Sequence, residues 1–360
     1  MAYCMRILTG LAALAWVAAP VSAQFVLKNE DANIRFGALG QFQGDWTQDS
    51  TAGSQGYQQN FFLRRARLIV GGDIGKDVSF FFETDDPNLG KTPKALNAGF
   101  LLLDGFAEWK PTKVFQVEGG LMLVPSSRQA LQSPVSYYTG DVSAVSTVNV
   151  GATQSSVLRD VGFGARGYFL NDHLQYRTGI FSGERDANAR NSARVAGYLQ
   201  YDFFEPEKVY VYSGTALGKK KILAVDVGGD KQGSYRSYSA NIANDTPVRG
   251  GDEIGLNLQY LHFDGRNKFL TIPGQNNFLV EAAYYLHRVK IQPFGRWETQ
   301  RFVAPVNLTK DISRYGAGAN YYIHGQNLKW TLQYLRAIPQ NGSPLRPANE
   351  LTVQLQVFYF

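Results

Sequence analysis

The stretch FFLRRARLIVGGDIGKDVSFFFETD, residues 61–85, decides the fold class of this 360-residue chain. Two aromatic-rich runs flank a short turn, which is the pattern of a β-hairpin. Because side chains alternate between the faces of a strand, Arg65 and Arg67 share one face while Leu68 and Val70 lie on the other. A polar face of this kind points to solvent in a soluble sandwich and into a water-filled lumen in a transmembrane barrel.

The start of the chain has the pattern of a secretory signal peptide. A positively charged beginning precedes the apolar run 7–21, and a small-x-small cleavage motif ends at Ala23, so residues 1–23 are predicted to be removed. A membrane anchor is the alternative, but the apolar run is short for one. The single cysteine, Cys4, precedes the run, and an exported chain without disulfides fits a bacterial envelope protein.

Composition and the last strand favour a membrane barrel over a soluble β-protein. The chain has 37 Gly, 23 Phe and 20 Tyr, and no stretch after the signal peptide is long and apolar enough for a membrane helix. The final residues 351–360, LTVQLQVFYF, alternate strictly and end on phenylalanine. Such an ending is similar to the sorting signal of bacterial outer-membrane barrels, although a buried terminal strand in a soluble protein is the alternative.

Alternation and turn residues predict sixteen strands in residues 24–360, which form one domain because no linker divides them. In the run 100–110, for example, Leu103 and Trp109 alternate with Asp104 and Glu108. Long and short connections alternate along much of the chain, which indicates a 16-stranded antiparallel transmembrane β-barrel with extracellular loops and periplasmic turns. The predicted strands are 34–46, the two runs of the hairpin 61–85, 100–110, 114–124, 161–170, 174–182, 193–204, 221–229, 234–243, 254–263, 278–287, 290–302, 313–323, 328–338 and 351–360.

The region from 125 to about 160 is the longest break in the strand pattern and is rich in Ser, Thr, Gly and Gln. A loop of this length in a compact chain is usually functional or disordered. It follows the fifth predicted strand, where porins carry the loop that folds into the lumen and narrows it. The loop begins with Pro125. The next two residues, Ser126 and Ser127, have small hydroxyl side chains, and the cationic Arg128 follows them.

The sequence gives little support to an enzyme, a metal site or a nucleic-acid surface. The four histidines have no metal-ligand spacing, the chain after residue 23 has no thiol nucleophile, and no Gly-x-Ser-x-Gly motif occurs. No cofactor is therefore expected. The net charge of +6 is spread along the chain, and only Lys219 to Lys221 form a basic run.

The arginines of the hairpin indicate an anion pathway. An arginine facing lipid at the bilayer midplane costs about 2–4 kcal/mol, so Arg65 and Arg67 are predicted to face the lumen. Arg64 has the wrong phase unless a bulge turns it inward. A lumenal guanidinium cluster attracts anions and offers forked donors to phosphate or carboxylate oxygens. Further arginines predicted to point inward are Arg35, Arg166, Arg177, Arg194, Arg296 and Arg314.

A second interpretation of the same arginines is structural. Glu83, Asp104 and Glu118 are also predicted to face the lumen, and arginines paired with them would brace the wall of the barrel. The two interpretations are compatible, because different arginines can serve each role.

Four segments of the chain resemble the phosphate-selective porins, the family of phosphate and pyrophosphate channels. They are the hairpin 61–85, EGGLMLVPSSRQ at 118–129, GANYYIHGQNLKWTLQYLR at 318–336 and QLQVFYF at 354–360. The resemblance implies a trimeric sixteen-stranded porin whose arginine ladder leads anions to a constriction. By the matching motif, Arg64 and Arg65 are the central pair, joined by Arg35 and by Ser126, Ser127 and Arg128. The long loop departs from this pattern, because no basic residue follows Arg128 until Arg159.

The hypothesis from the sequence is a passive, anion-preferring porin of the bacterial outer membrane, in contact with lipid and forming a homotrimer. Its substrates are small anions, with phosphate the leading candidate. The expected binding residues are Arg35, Arg64, Arg65, Arg67, Ser126, Ser127, Arg128, Arg166, Arg177 and Arg314. The alternatives are a general-diffusion or sugar porin with weak ion preference and, in another class, a secreted β-rich enzyme or binding protein.

Overall fold

The computed structural model describes residues 25–54, 56–188 and 190–360; the predicted signal peptide 1–23 lies outside the described residues. Almost all regular structure in these ranges is strand. The strands are β1 (Phe25–Lys28), β2 (Ala32–Gln48), β3 (Tyr57–Ile74), β4 (Val78–Asp85), β5 (Leu101–Trp109), β6 (Gln116–Leu123), β7 (Arg159–Phe169), β8 (Leu174–Phe181), β9 (Arg194–Asp202), β10 (Ile222–Gln232), β11 (Tyr235–Pro247), β12 (Glu253–Asp264), β13 (Gln275–Tyr285), β14 (Ile291–Phe302), β15 (Ile312–His324), β16 (Leu328–Pro339) and β17 (Ala348–Tyr359).

Strands β2 to β17 close into a barrel of sixteen antiparallel strands, as predicted. Each strand pairs with the next along the chain, and β17 pairs back with β2 from Glu350 opposite Thr47 to Tyr359 opposite Ala38. Closure leaves no unpaired edge, which is the condition for a sheet to span a bilayer. Strand β1 lies outside this count; it pairs only with the beginning of β2 and was not predicted from the sequence.

All sixteen predicted strands are present, including those placed near 221–229 and 234–243, where the pattern was weakest. One facing prediction was wrong. Leu103 was assigned to the outer face with Trp109, but its side chain is fully buried. A bulge between β4 and β5 sets Thr84 opposite Leu102 and Glu83 opposite Asp104, so Leu103 has no partner and turns inward.

The distribution of polar and apolar side chains is the reverse of that in a soluble protein. Along β11, Ser237, Ser239 and Asn241 are buried, whereas Tyr238 and Ile242 are exposed. The same alternation recurs around the barrel, so the outer surface is an apolar belt and the lumen is polar. This decides between the sandwich and the barrel, because a soluble sandwich would bury the apolar face. In the described part of the chain, no helix is both long and apolar enough to cross a membrane.

The two ends of the barrel carry different connections. At the terminal end, where β2 begins and β17 finishes, six of the connections between barrel strands are short turns such as residues 75–77 and 325–327. The exception is residues 203–221, between β9 and β10, which we call the strap. The other end, the loop end, carries longer loops apart from the two-residue turn 233–234, and the longest is loop L3, residues 124–158, between β6 and β7. Both L3 and the strap fold into the lumen.

Candidate functional site

A bulge in β3 brings two neighbouring arginines to the same side of the wall. Gln41 on β2 lies opposite Arg65, and the next pair is Phe42 with Leu63, so Arg64 is the extra residue. Regular alternation would have pointed Arg64 at lipid. The bulge turns the Arg64 side chain to the lumen beside Arg65. The sequence analysis expected an inward Arg64 only if such a bulge was present.

Both guanidinium groups bind one carboxylate of L3. Arg64 Nε donates to Asp141 Oδ2 at 2.6 Å, and Arg65 Nη2 donates to Asp141 Oδ1 at 2.7 Å. Arg65 Nη1 also donates to Gln41 Oε1 at 2.6 Å, which fixes its plane. Two cations therefore share a single carboxylate, and this cluster keeps a local charge of plus one.

Asp141 also connects two separate parts of the barrel wall, β14 and β3. Its backbone oxygen accepts a hydrogen bond of 2.9 Å from Arg296 Nη2 on β14, while its carboxylate faces β3. L3 is therefore tied to both of these strands through one residue. Burial alone raises a carboxyl pKa, but Arg64 and Arg65 outweigh it and hold the pKa of Asp141 well below its ordinary value. The Asp141 carboxylate is charged under all physiological conditions.

The remaining arginines of this wall are neutralised. Arg67 Nη1 lies 3.0 Å from Glu83 Oε2, and Arg67 Nε lies 3.0 Å from Asp85 Oδ2. Arg159 Nη2 lies 2.9 Å from Asp104 Oδ2. The structural interpretation is thus confirmed for Glu83 and Asp104, which brace the wall.

The pairing extends to other predicted site residues, with one carboxylate left over. Arg166 Nε lies 2.5 Å from Glu108 Oε1, and Arg314 Nη1 lies 3.2 Å from Glu298 Oε1. Glu118, by contrast, has one buried oxygen without a hydrogen-bond partner among the described residues. The bracing partner expected for it is therefore not seen.

Arg35 lies apart from the bulge, at the terminal end of β2. Its side chain is 39% exposed, its Nη2 is 4.0 Å from Asp73 Oδ2, and its guanidinium carbon lies 5.6 Å from the centre of the Phe360 ring. An ion pair this long and this exposed contributes little stabilisation. Arg35 is therefore free to meet ions at the mouth of the lumen.

The three residues at the start of L3 fasten the loop to the wall. The carbonyl of Ser126 accepts a 2.8 Å hydrogen bond from Ser239 Oγ, and Ser127 Oγ accepts one of 3.2 Å from the backbone N–H of Ala130. Buried Arg128 pairs with Glu207 of the strap, Nη1 to Oε2, at 2.8 Å. These contacts are with β11, the strap and L3 itself. The structure does not join the three residues to the Arg64–Arg65 pair.

Two features of the lumen were missed in the sequence. Asp141 is the only acidic residue between Pro125 and Leu158, and this isolation was a signal that could have identified it as the partner of the arginines. The strap was missed because its residues look like an irregular connection.

Buried carboxylates outnumber buried cations by nearly two to one among the described residues. No three of the described His, Asp or Glu side chains are grouped as a metal ion requires.

Residues 36–207 match the family model of phosphate-selective porin O and P. Salmonella typhi OmpF, solved in complex with daunomycin, is 13% identical with a TM-score of 0.63, covering 93% of this chain and 100% of that chain. Pseudomonas putida OprB, in its high-pH structure, is 9% identical with a TM-score of 0.65, covering 91% and 94%. The Acinetobacter baumannii outer membrane channel DcaP is 10% identical with a TM-score of 0.59, covering 92% and 99%. At these identities the likeness concerns the fold alone. No curated protein matches the chain.

Proposed function

We propose that this chain, which belongs through residues 36–207 to the phosphate-selective porin family, is a passive outer-membrane channel that prefers small anions. Its terminal end faces the periplasm and its loop end faces outward, the orientation usual for such barrels. The apolar belt contacts lipid, three copies assemble, and the protein acts as a channel rather than as an enzyme.

The observation that carries the anion preference is the Arg64–Arg65–Asp141 cluster. It is a place where cations exceed carboxylates inside the lumen, and it lies where L3 is tied to both β3 and β14. A small anion there exchanges part of its hydration shell for guanidinium N–H groups. Because Asp141 competes for the same donors, each anion is held only moderately, and moderate binding allows it to leave.

Arg35 supplies a second step at the periplasmic mouth, where its weak contact with Asp73 leaves donors available. Phosphate is the leading substrate, since forked guanidinium donors match its oxygens. Ser126, Ser127 and Arg128 contribute by fixing L3, and L3 sets the size limit.

A second candidate is a porin with weak ion preference that admits sugars or other neutral solutes. It is favoured by the ion pairs of Arg67, Arg159 and Arg166 and by the excess of buried carboxylates. In this case the arginines mainly brace the wall, and the plus-one cluster is too small to dominate the field of the lumen.

Planar-bilayer recordings across a KCl gradient separate the two candidates. We expect a reversal potential on the anion side, saturable block of the chloride current by phosphate, and a lower anion preference in Arg65→Ala. The exposed Arg266→Ala variant serves as the control. A reversal potential near zero with fast sugar permeation would favour the second candidate, and an unchanged reversal potential in Arg65→Ala would remove Arg65 from the pathway.

The trimer is tested separately. We expect unheated protein to migrate as a trimer in denaturing gels and chemical cross-linking to stop at three copies. Migration as a monomer, both without heating and after cross-linking, would contradict the trimer.

A further inference from the structure

The strap is the one long connection at the periplasmic end of the described barrel. Its base continues the β9–β10 pairing, with Phe203 N–H donating to Leu223 O and Glu205 N–H donating to Lys221 O. The central part then leaves the wall and enters the lumen, where Tyr210 and Tyr212 are buried or nearly so. A connection that only joined two adjacent strands would need a few residues.

L3 and the strap pair through their backbones. Tyr212 N–H donates to Leu131 O at 2.8 Å, and Ser133 N–H donates to Tyr212 O at 2.9 Å. Gly214 N–H donates to Ser136 Oγ at 2.9 Å. The strap is therefore an ordered partner of the constriction loop, with its own peptide groups satisfied inside the lumen.

Arginines of the wall hold the strap from the other side. Arg177 Nη2 donates to Val209 O at 2.6 Å and Arg177 Nη1 to Tyr210 O at 2.5 Å, and its guanidinium lies 4.8 Å from the centre of the Tyr212 ring. Within the described residues Arg177 forms no ion pair with a carboxylate. Tyr210 stacks on Phe106 with ring centres 4.5 Å apart. The donors of Arg177 are thus used on the strap.

Two cavities of nearly equal size lie on either side of this strap. One, of about 660 Å³, lies toward β2–β5 and includes Arg35, Arg166 and Lys208 in its lining. The other, of about 640 Å³, lies toward β10 and the turn 325–327 and includes Ser213, Lys220 and His324. Val209 and Val211 of the strap line both.

We propose that the strap divides the periplasmic half of the lumen into two parallel exits, and that Arg177 is the positioning residue that holds this partition. The inference rests on the proposed channel function and adds a second exit path for the permeating solutes. The first exit is lined by wall arginines beside carboxylates. The second has no arginine in its lining, which combines aliphatic side chains such as Val211 and Leu217 with Ser213, Lys220 and His324. The two exits therefore differ in chemistry, and solutes distribute between them.

Single cysteines at the two exits test the division, because the chain after residue 23 contains no cysteine. Lys208→Cys places a thiol in the first exit and Lys220→Cys places one in the second. Each is labelled with a bulky thiol reagent from the periplasmic side while conductance is recorded. Lys76→Cys, in the exposed turn 75–77, is the matched control.

We expect each label to remove part of the conductance, and the two labels to remove similar parts, because the two exits conduct in parallel and both are in series with the constriction formed by L3. The double variant loses nearly all of it, and Lys76→Cys loses none. If one label alone stops the current and the other leaves it unchanged, or if neither has an effect on a conducting channel, the two-exit proposal is wrong. A protein that never conducts would instead contradict the proposed channel function.

Arg177→Gln tests the positioning role. Loss of the donors to Val209 O and Tyr210 O releases the strap, so we expect higher conductance, faster sugar permeation and an unchanged reversal potential. Arg177→Lys, which keeps the charge and one donor, restores part of the conductance limit. A lower anion preference without a change in sugar permeation would show that Arg177 binds permeating ions instead. Deleting residues 207–217 must merge the exits, and a deletion variant that conducts like the parent chain would contradict the partition.

Discussion

Arg64 and Arg65 differ from Arg67, two residues away on the same strand, in the number of carboxylates they face. The first two share Asp141, whereas Arg67 faces both Glu83 and Asp85; Arg159, which pairs with Asp104, lies a further 3.8 Å from Glu83 Oε2. One place therefore has an excess of positive charge and the next an excess of negative charge. An arginine that points into a lumen does not make an anion site by itself; the balance of charges around it decides.

The strongest test of this contrast removes the positive excess. In Arg64→Gln/Arg65→Gln the local charge changes from plus one to minus one. We expect the anion-to-cation permeability ratio to fall by roughly tenfold or more, because a unit charge at about 4 Å contributes about 1–4 kcal/mol between bulk water and a protein surface. Reversal potentials in a KCl gradient measure this ratio.

The chain offers a matched control for that variant. Arg236 and Arg266 also share one carboxylate, Asp264, but at the exposed loop end. Arg236→Gln/Arg266→Gln is expected to leave the ratio unchanged in physiological salt, where exposed charges are screened. Equal shifts in the two double variants would mean that total charge, and not the bulge, sets the preference.

The second largest effect is expected from Asp141→Asn, in the opposite direction. Loss of the carboxylate charge raises the local charge of the cluster to plus two, so the anion-to-cation permeability ratio should rise by roughly threefold to tenfold. The asparagine keeps only one acceptor oxygen, so the tie of L3 to β3 weakens while the backbone bond from Arg296 remains, and open-channel noise should increase. Phosphate should then block the chloride current at lower concentration. A lower anion preference would contradict the competition between Asp141 and permeating anions.

A smaller change in ion preference, with a larger change in stability, is expected for Arg67→Gln. Buried Asp85 loses its cation and Glu83 keeps only Arg159, at 3.8 Å, and breaking a buried pair costs about 3–5 kcal/mol. The temperature at which the folded gel band converts to the unfolded one should therefore fall. Adding Glu83→Gln and Asp85→Asn removes the unpaired charges and should restore much of that temperature; no recovery would mean that packing, not charge, explains the loss.

The smallest effect is expected from pH. Since the pKa of Asp141 is depressed by Arg64 and Arg65, the stabilisation from this cluster is fully present above the ordinary aspartate value of about 4 and is lost only as pH falls through the depressed value. Open-channel noise from L3 should stay constant between about pH 7 and about pH 4.5. A rise in noise within that range would show that the Asp141 tether is weaker than its geometry indicates.

L3 and the strap show what a sequence signals about loops. L3 was predicted, as the region from 125 to about 160, because this long stretch is rich in Ser, Thr, Gly and Gln and has no strand pattern. The strap is shorter and contains aromatic residues, and nothing local shows whether such a segment lies outside the barrel or enters it. Its position depends on Arg177, Arg128 and Leu131, which lie far from it in the sequence.

The sequence by itself determined the barrel, the sixteen strands and the lumenal face of Arg65 and Arg67, because alternation is local and lipid excludes charge. Tertiary structure alone decided the rest. The slip in register between β2 and β3 turned Arg64 inward, and the path of L3 placed Asp141 between two arginines. The strap's entry into the lumen depends on hydrogen bonds across the barrel. The register slip, the path of L3 and the entry of the strap all depend on contacts between residues that are distant in the sequence. The local alternation pattern does not contain information about such contacts.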